Sequence, residues 1–148
     1  MADVFTPEGA REAEELLARW PDAAERADPR KTDAYWDYVT RKRAAFDGTF
    51  AFGVAGRFVT VTLGADGAAT VRVSDEATAL ASAKLAVVAD AGDWAEIVAG
   101  YDIGKAMTYH QLPLRVGTST LMLRNAYLVH EILTVFTRVA GLPAPAPA

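Results

Sequence analysis

Residues 117–138 read GTSTLMLRNAYLVHEILTVFTR, and the reading of this stretch decides what the rest of the chain must supply. Its apolar spacing predicts one long, mostly buried helix. Leu121, Leu128, Ile132, Val135 and Phe136 share one side, while Thr120, Arg124, Tyr127, Glu131, Thr134 and Arg138 fall on a narrow stripe, the only face suited to water. Asn125 sits among the hydrocarbons. A buried amide left unpaired costs about 1–3 kcal/mol, so Asn125 needs a partner, either a backbone group from a neighbouring strand or a polar atom of a ligand.

A helix this apolar needs a broad hydrophobic surface, and the preceding sequence supplies one in stretches with a period of two. In FAFGVAG, Phe50, Phe52 and Val54 alternate with Ala51, Gly53 and Ala55; in RFVTVTLG, Val59, Val61 and Leu63 alternate with Phe58, Thr60 and Thr62. After a turn at Asp66-Gly67, ATVRVS gives a third strand, and the three form an antiparallel meander. DEATALAS, at 75–82, reads as a short connection, and KLAVVADA as a fourth strand. Asp93 is expected to cap a short helix carrying Trp94, Ile97 and Val98 inward and ending at Gly100, with a second piece over 102–111. LPLRV, at 112–116, is a short fifth strand whose Pro113 places it at an edge or strand end.

Ahead of the meander lies a charged helical layer: more than half of the charged side chains fall in the first 48 residues. Pro7 opens a first helix with Thr6 as its N-cap, and Pro21 ends or kinks it. A second runs from about Thr32 or Asp33 to Phe46, with Tyr35, Val39, Lys42 and Phe46 on one stripe and Trp36 and Tyr38 beside it. Division into charged N-terminal helices (1–46), a sheet with its C-terminal helix (47–138) and an extended tail (142–148) describes a single domain of 148 residues.

Composition narrows the function. Hydrophobic residues make up 51% of the chain and charged residues 23%, as in ordinary globular proteins. With a net charge of −4 and one short basic run at Arg41–Arg43, nothing favours nucleic acid. The N-terminal stretch has early acids and no apolar core, so it does not read as a secretory signal. Arg124 and Glu131 interrupt the best apolar run, which argues against integral membrane insertion. Cysteine is absent, which is compatible with a reducing compartment, and the cytoplasm is the default expectation. Neither His110 nor His130 belongs to a metal motif. Phosphate-binding glycine loops and GxSxG elbows are missing, and Ser74, Ser82 and Ser119 lack any motif marking a nucleophile. No metal and no cofactor is expected.

Taken together, FAFGVAGRFVTVTL (50–63), KLAVVADAGDWAEIVAG (84–100) and KAMTYHQLPLRVGTSTLMLRNAYLVHEIL (105–133) resemble the sterol carrier protein type 2 family in element order and apolar positions. The resemblance covers about two thirds of the chain. It implies an α+β fold: a five-stranded, mostly antiparallel sheet with helices packed on one face and a hydrophobic cavity between them, open to sterols, fatty acids or acyl-CoA. The charged N-terminal segment and the polar TYHQ at 108–111 depart from the family pattern.

Three functions follow as expectations. The first is a carrier of a hydrophobic small molecule, its cavity lined by Phe50, Phe52, Phe58, Leu85, Val87, Trp94, Ile97, Met107, Leu121, Leu128 and Ile132, with Asn125, Tyr109 and His110 as polar contacts and Met107 and Met122 adapting to shape. The second is a small isomerase or cyclase acting on a polyketide- or terpenoid-like substrate in the same cavity, with His110, Asp102 and Tyr109 moving protons. The third is an accessory module that docks a protein partner. Oligomeric state is left open, a dimer included.

Overall fold

The period-two stretches form the sheet expected of them. In the computed structural model, which describes residues 3–109 and 111–139, the strands are β1 (Gly48–Val54), β2 (Arg57–Leu63), β3 (Ala69–Ser74), β4 (Leu85–Ala89) and β5 (Leu114–Val116). Their order is β3-β2-β1-β4-β5, and every neighbouring pair is antiparallel except β1 with β4. His110 and the expected tail at 142–148 lie outside the described residues.

The one parallel pair sets the architecture. Parallel neighbours need a crossover, and here the chain leaves β3, passes through helix α4 (Glu76–Ser82) and returns as β4. The stretch at 75–82 is thus a helix rather than a plain connection, with Asp75 as N-cap accepting the Thr78 N–H at 2.8 Å. Its Ala79 packs with Ala51, Ala86 and Phe58 of the sheet. Helices therefore cover both faces. Phe58, expected to share a cavity with Phe50 and Phe52, points to the opposite side of the sheet, because strand alternation separates it from its neighbours Val59 and Val61.

On the other face Phe50, Phe52, Val59, Val61, Leu85 and Val87 meet Ala13 and Leu17 of α1 (Pro7–Ala18) and Leu128, Ile132 and Phe136 of the last helix. α1 starts where Thr6 accepts the Gly9 N–H at 3.1 Å, as read from the sequence. It lies against the edge strand β3, where the Glu14 carboxylate accepts the backbone N–H of Val71 at 2.9 Å. A side chain thus closes a donor that an edge strand would otherwise present to solvent. Helix α2 (Ala23–Arg26) follows, and α3 (Asp33–Phe46) begins at its Thr32 cap. The inward side of α3 is Trp36, Val39 and Phe46: Val39 and Phe46 are as expected, Trp36 takes the place of Tyr35, and Tyr35 and Lys42 are half-buried, Tyr35 using its hydroxyl.

Ahead of α1, Val4 and Phe5 plug into the core at 1% and 6% exposure, and the Phe5 ring lies 5.9 Å from Phe52. This plug depends on Gly9. The carbonyl oxygen of Asp3 occupies the space that a Cβ on Gly9 would need, and backbone cannot yield as a flexible side chain does. Gly9→Ala should therefore lower stability by about 1–3 kcal/mol, the cost of overpacking, although alanine is intrinsically the better helix former. Urea unfolding of the two proteins measures it; an unchanged or raised midpoint would show that the plug contributes nothing.

Candidate functional site

The stretch at 117–138 is not one helix. Thr118 caps α7 (Ser119–Arg124) through the Leu121 N–H at 3.1 Å; the chain then breaks at Asn125, with φ −117° and ψ 15°, and resumes as α8 (Ala126–Val139). The amide group expected to seek a ligand or a strand instead donates to the Leu121 carbonyl at 2.9 Å, while the Asn125 carbonyl accepts the Val129 N–H at 2.9 Å. Asn125 satisfies the last turn of α7 and starts α8. It is a joint in the backbone, and the change of direction leaves α7 with no buried residue while α8 keeps its apolar side in the core.

Below this joint lies an apolar groove of about 410 Å³, open to solvent, within the range of about 300–1,000 Å³ common for small-molecule sites. Its walls include Met107 of α6 (Ile103–Thr108), Leu112, Leu114 of β5, and Met122, Leu123 and Tyr127 from either side of the break. The loop leading to β5 is held in place by Gln111, whose amide donates to Asp93 at 2.9 Å. Asp93 was expected to cap α5 (Ala91–Val98); that role belongs to Asp90, which accepts the Asp93 N–H at 2.7 Å. The groove adjoins a second, charged cleft of about 520 Å³, with Gly104, Tyr127 and His130 lining both.

His130 backs onto a carboxylate with several bonding partners. Glu131, placed by periodicity on the water-facing stripe, is 2% exposed. The stripe's C-terminal half is covered by the N-terminal layer, so its charges face partners rather than solvent. Glu131 accepts from Trp20 Nε1 at 3.0 Å, from the Tyr35 hydroxyl at 2.5 Å and from Lys31 Nζ at 3.0 Å, with His130 Nδ1 at 3.3 Å. Burial works against its charge, but the bonds from His130, Tyr35 and Trp20 and the Lys31 ammonium outweigh it, and its pKa falls to about 2. Burial, then the adjoining carboxylate, push the Tyr35 hydroxyl well above its usual range. Burial also opposes the charge of Lys31, yet Glu25 and Glu131 hold its pKa above the ordinary value. Two turns along α8, Arg138 bonds Glu25 at 2.8 Å and Asp22 at 3.0 Å, completing the clamp.

The other sequence-predicted site residues are scattered. Phe50, Phe52, Leu85, Val87, Leu128 and Ile132 pack against one another in a filled core, with Trp94 against the Phe52 ring at 4.8 Å. Ile97 lines the charged cleft, Leu121 is half-buried beside Gly117, and Met107 lines the groove. Asp102 caps α6 by accepting the Lys105 N–H at 2.9 Å and lines the cleft, whereas Tyr109 is 66% exposed and lines neither space. Sequence reasoning missed Leu112, Leu114, Leu123, Ala126 and Tyr127 as groove residues. The signal available was the apolar LPL at 112–114 together with LML at 121–123, one turn either side of Gly117.

No family model matches the sequence, and no curated protein matches it. Solved structures do. A crystal structure of sterol carrier protein 2 is similar with a TM-score of 0.66 at 20% identity, covering 93% of this chain and all 100% of that one. A conserved hypothetical protein from Thermus thermophilus, suggested to be a sterol carrier protein, is similar with a TM-score of 0.62 at 20% identity, covering 96% of this chain and 93% of its own. The fold is that of sterol carrier protein 2: α+β, with a five-stranded mixed sheet.

The ionised Glu131 ties stability to pH. Its carboxyl titrates at about 2 when folded against an ordinary 4.5, so its contribution is complete above pH 4.5 and is lost as pH falls through 2. At about 1.4 kcal/mol per pH unit, that is about 3 kcal/mol at neutral pH. Glu131→Gln should be less stable at pH 7, and its deficit should shrink between pH 4.5 and 2; denaturant midpoints across that range measure it, and parallel profiles would refute the assignment.

Proposed function

We propose that this protein binds a hydrophobic small molecule, a sterol, fatty acyl chain or related lipid, in the groove between α6, β5 and the α7–α8 joint, and carries it without chemistry. One observation supports this reading most: an apolar groove, open to solvent, that adjoins a charged cleft at His130 and Tyr127. Such a site suits an amphipathic molecule, with hydrocarbon against Met107, Leu112, Leu114 and Met122 and a polar end toward the charged cleft. Burial of hydrocarbon supplies affinity at about 25 cal/mol per Å², and the two methionines let the walls follow an irregular outline. The fold agrees with this reading.

The carrier reading predicts that a fluorescent acyl or sterol probe binds the purified protein and is displaced by unlabelled lipid. Ala126→Trp, which fills the groove from its floor, should weaken the probe by tenfold or more, about 1.4 kcal/mol. Phe58→Leu, on the far sheet face, should leave affinity unchanged. Failure of every probe to bind, with no lipid detected by mass spectrometry in natively purified protein, would sink the reading.

A further inference from the structure

The charges of the cleft beside the groove bear on which polar end a bound amphiphile can carry. Both cations that line it are already paired. Lys31 Nζ lies 2.7 Å from Glu25 and 3.0 Å from Glu131, and Arg30 grips Asp28 through Nε at 3.1 Å and Nη2 at 3.0 Å. Behind Glu25, Arg138 is divided between Glu25 and Asp22. Lys105, the next cation along the chain, lines neither the cleft nor the groove. One carboxylate is left over. Asp102 uses Oδ1 to cap α6 and makes no ion pair among the described residues. Glu25, Asp28 and Asp102 thus line the cleft against Arg30 and Lys31, with Glu131 buried beside Lys31.

The same cleft is lined by three tyrosines, Tyr35, Tyr101 and Tyr127. Aromatic faces attract ammonium groups within about 6 Å of the ring centroid, and the Lys31 ammonium already lies 5.9 Å from the centroid of Tyr35. The rings of Tyr101 and Tyr127 carry no such cation among the described residues. Tyr127 stands edge-on to Tyr35 at 5.6 Å and lines the apolar groove as well, so a head held in the cleft has its hydrocarbon chain beside the groove. A carboxylate or phosphate head would find no free cation in the cleft and would meet the unpaired charge of Asp102. An ammonium head would find that charge and two open rings.

We propose that the cleft receives the ammonium group of a long-chain amine, paired with Asp102 and lying against Tyr101 and Tyr127, while the chain occupies the groove. The inference rests on the carrier reading and narrows it: cationic heads are preferred, hydroxyl heads accepted and anionic heads disfavoured.

Displacement of a fluorescent acyl probe by dodecylamine, dodecanol and dodecanoate tests it, at neutral pH and below micelle formation, because the three share a chain and differ in the head. Dodecylamine should bind about tenfold tighter than dodecanoate, with dodecanol between them, and salt should narrow the gap. Asparagine caps a helix as well as aspartate does, so Asp102→Asn keeps the start of α6. That variant should bind dodecylamine about threefold more weakly, the scale of an exposed ion pair, and dodecanol as the parent does. Glu15→Gln on α1, exposed and outside the cleft, removes the same charge and should leave all three affinities unchanged. Dodecanoate binding as tightly as dodecylamine, an Asp102→Asn protein with the parent's preference, or an equal loss in Glu15→Gln would overturn the inference and leave the carrier reading standing. Failure of the probe and of all three ligands to bind would overturn both.

Discussion

The rest of the structure depends on one buried carboxylate. Glu131 stands in a helix that the sheet needs as its cover, yet its charge can be tolerated there only because Trp20, Lys31 and Tyr35 reach it from the N-terminal layer. Removing water from an ion costs several kcal/mol unless charge and hydrogen bonds replace what is lost. Here three donors and a neighbouring imidazole do so. The arrangement is specific rather than merely adhesive: only one placement of the layer over α8 brings Trp20, Lys31 and Tyr35 to the same two oxygens. Arg138, held by Glu25 and Asp22, repeats the constraint two turns later.

This clamp also shapes the candidate site. With the C-terminal half of α8 covered, the chain's unfilled apolar volume falls at the other end, where Asn125 turns α7 out of line. The groove exists because the helix does not continue straight. His130 stands at the boundary, one side toward groove and cleft and the other against Glu131. The polar end of the proposed ligand site is therefore held by the same residues that hold the fold together.

What could be read from the sequence was what repeats locally. The meander followed from alternation in 50–63 and 69–74, and the starts of α1 and α3 from Thr6 and Thr32 standing before helical spacing. What could not be read depends on distant neighbours. Periodicity groups Glu131 with Arg124 and Thr120, and nothing near it announces the layer that buries it. Asn125 fits a continuous helix as well as a broken one until its amide is seen to turn back on Leu121. Phe58 satisfies a strand pattern equally on either face; the crossover through α4 decides which face is covered. The cavity expected behind Phe50 and Phe52 is occupied by their own neighbours, and groove residues such as Leu112 and Leu123 lie in segments too short to show a period.

The clamp also bears on the order in which the chain can be completed. Trp20 and Glu131 are 111 positions apart, and Arg138 and Glu25 are separated by 113. During synthesis the N-terminal helices emerge long before the helix that holds their partners, and α1 must wait for the meander against which it lies. Contacts of such long range close slowly, and an apolar sheet face stays uncovered until α8 arrives. The charges that crowd the first 48 residues keep that waiting layer compatible with water. In a growing chain they act as a built-in solubiliser, and they become structural only when the last helix meets them.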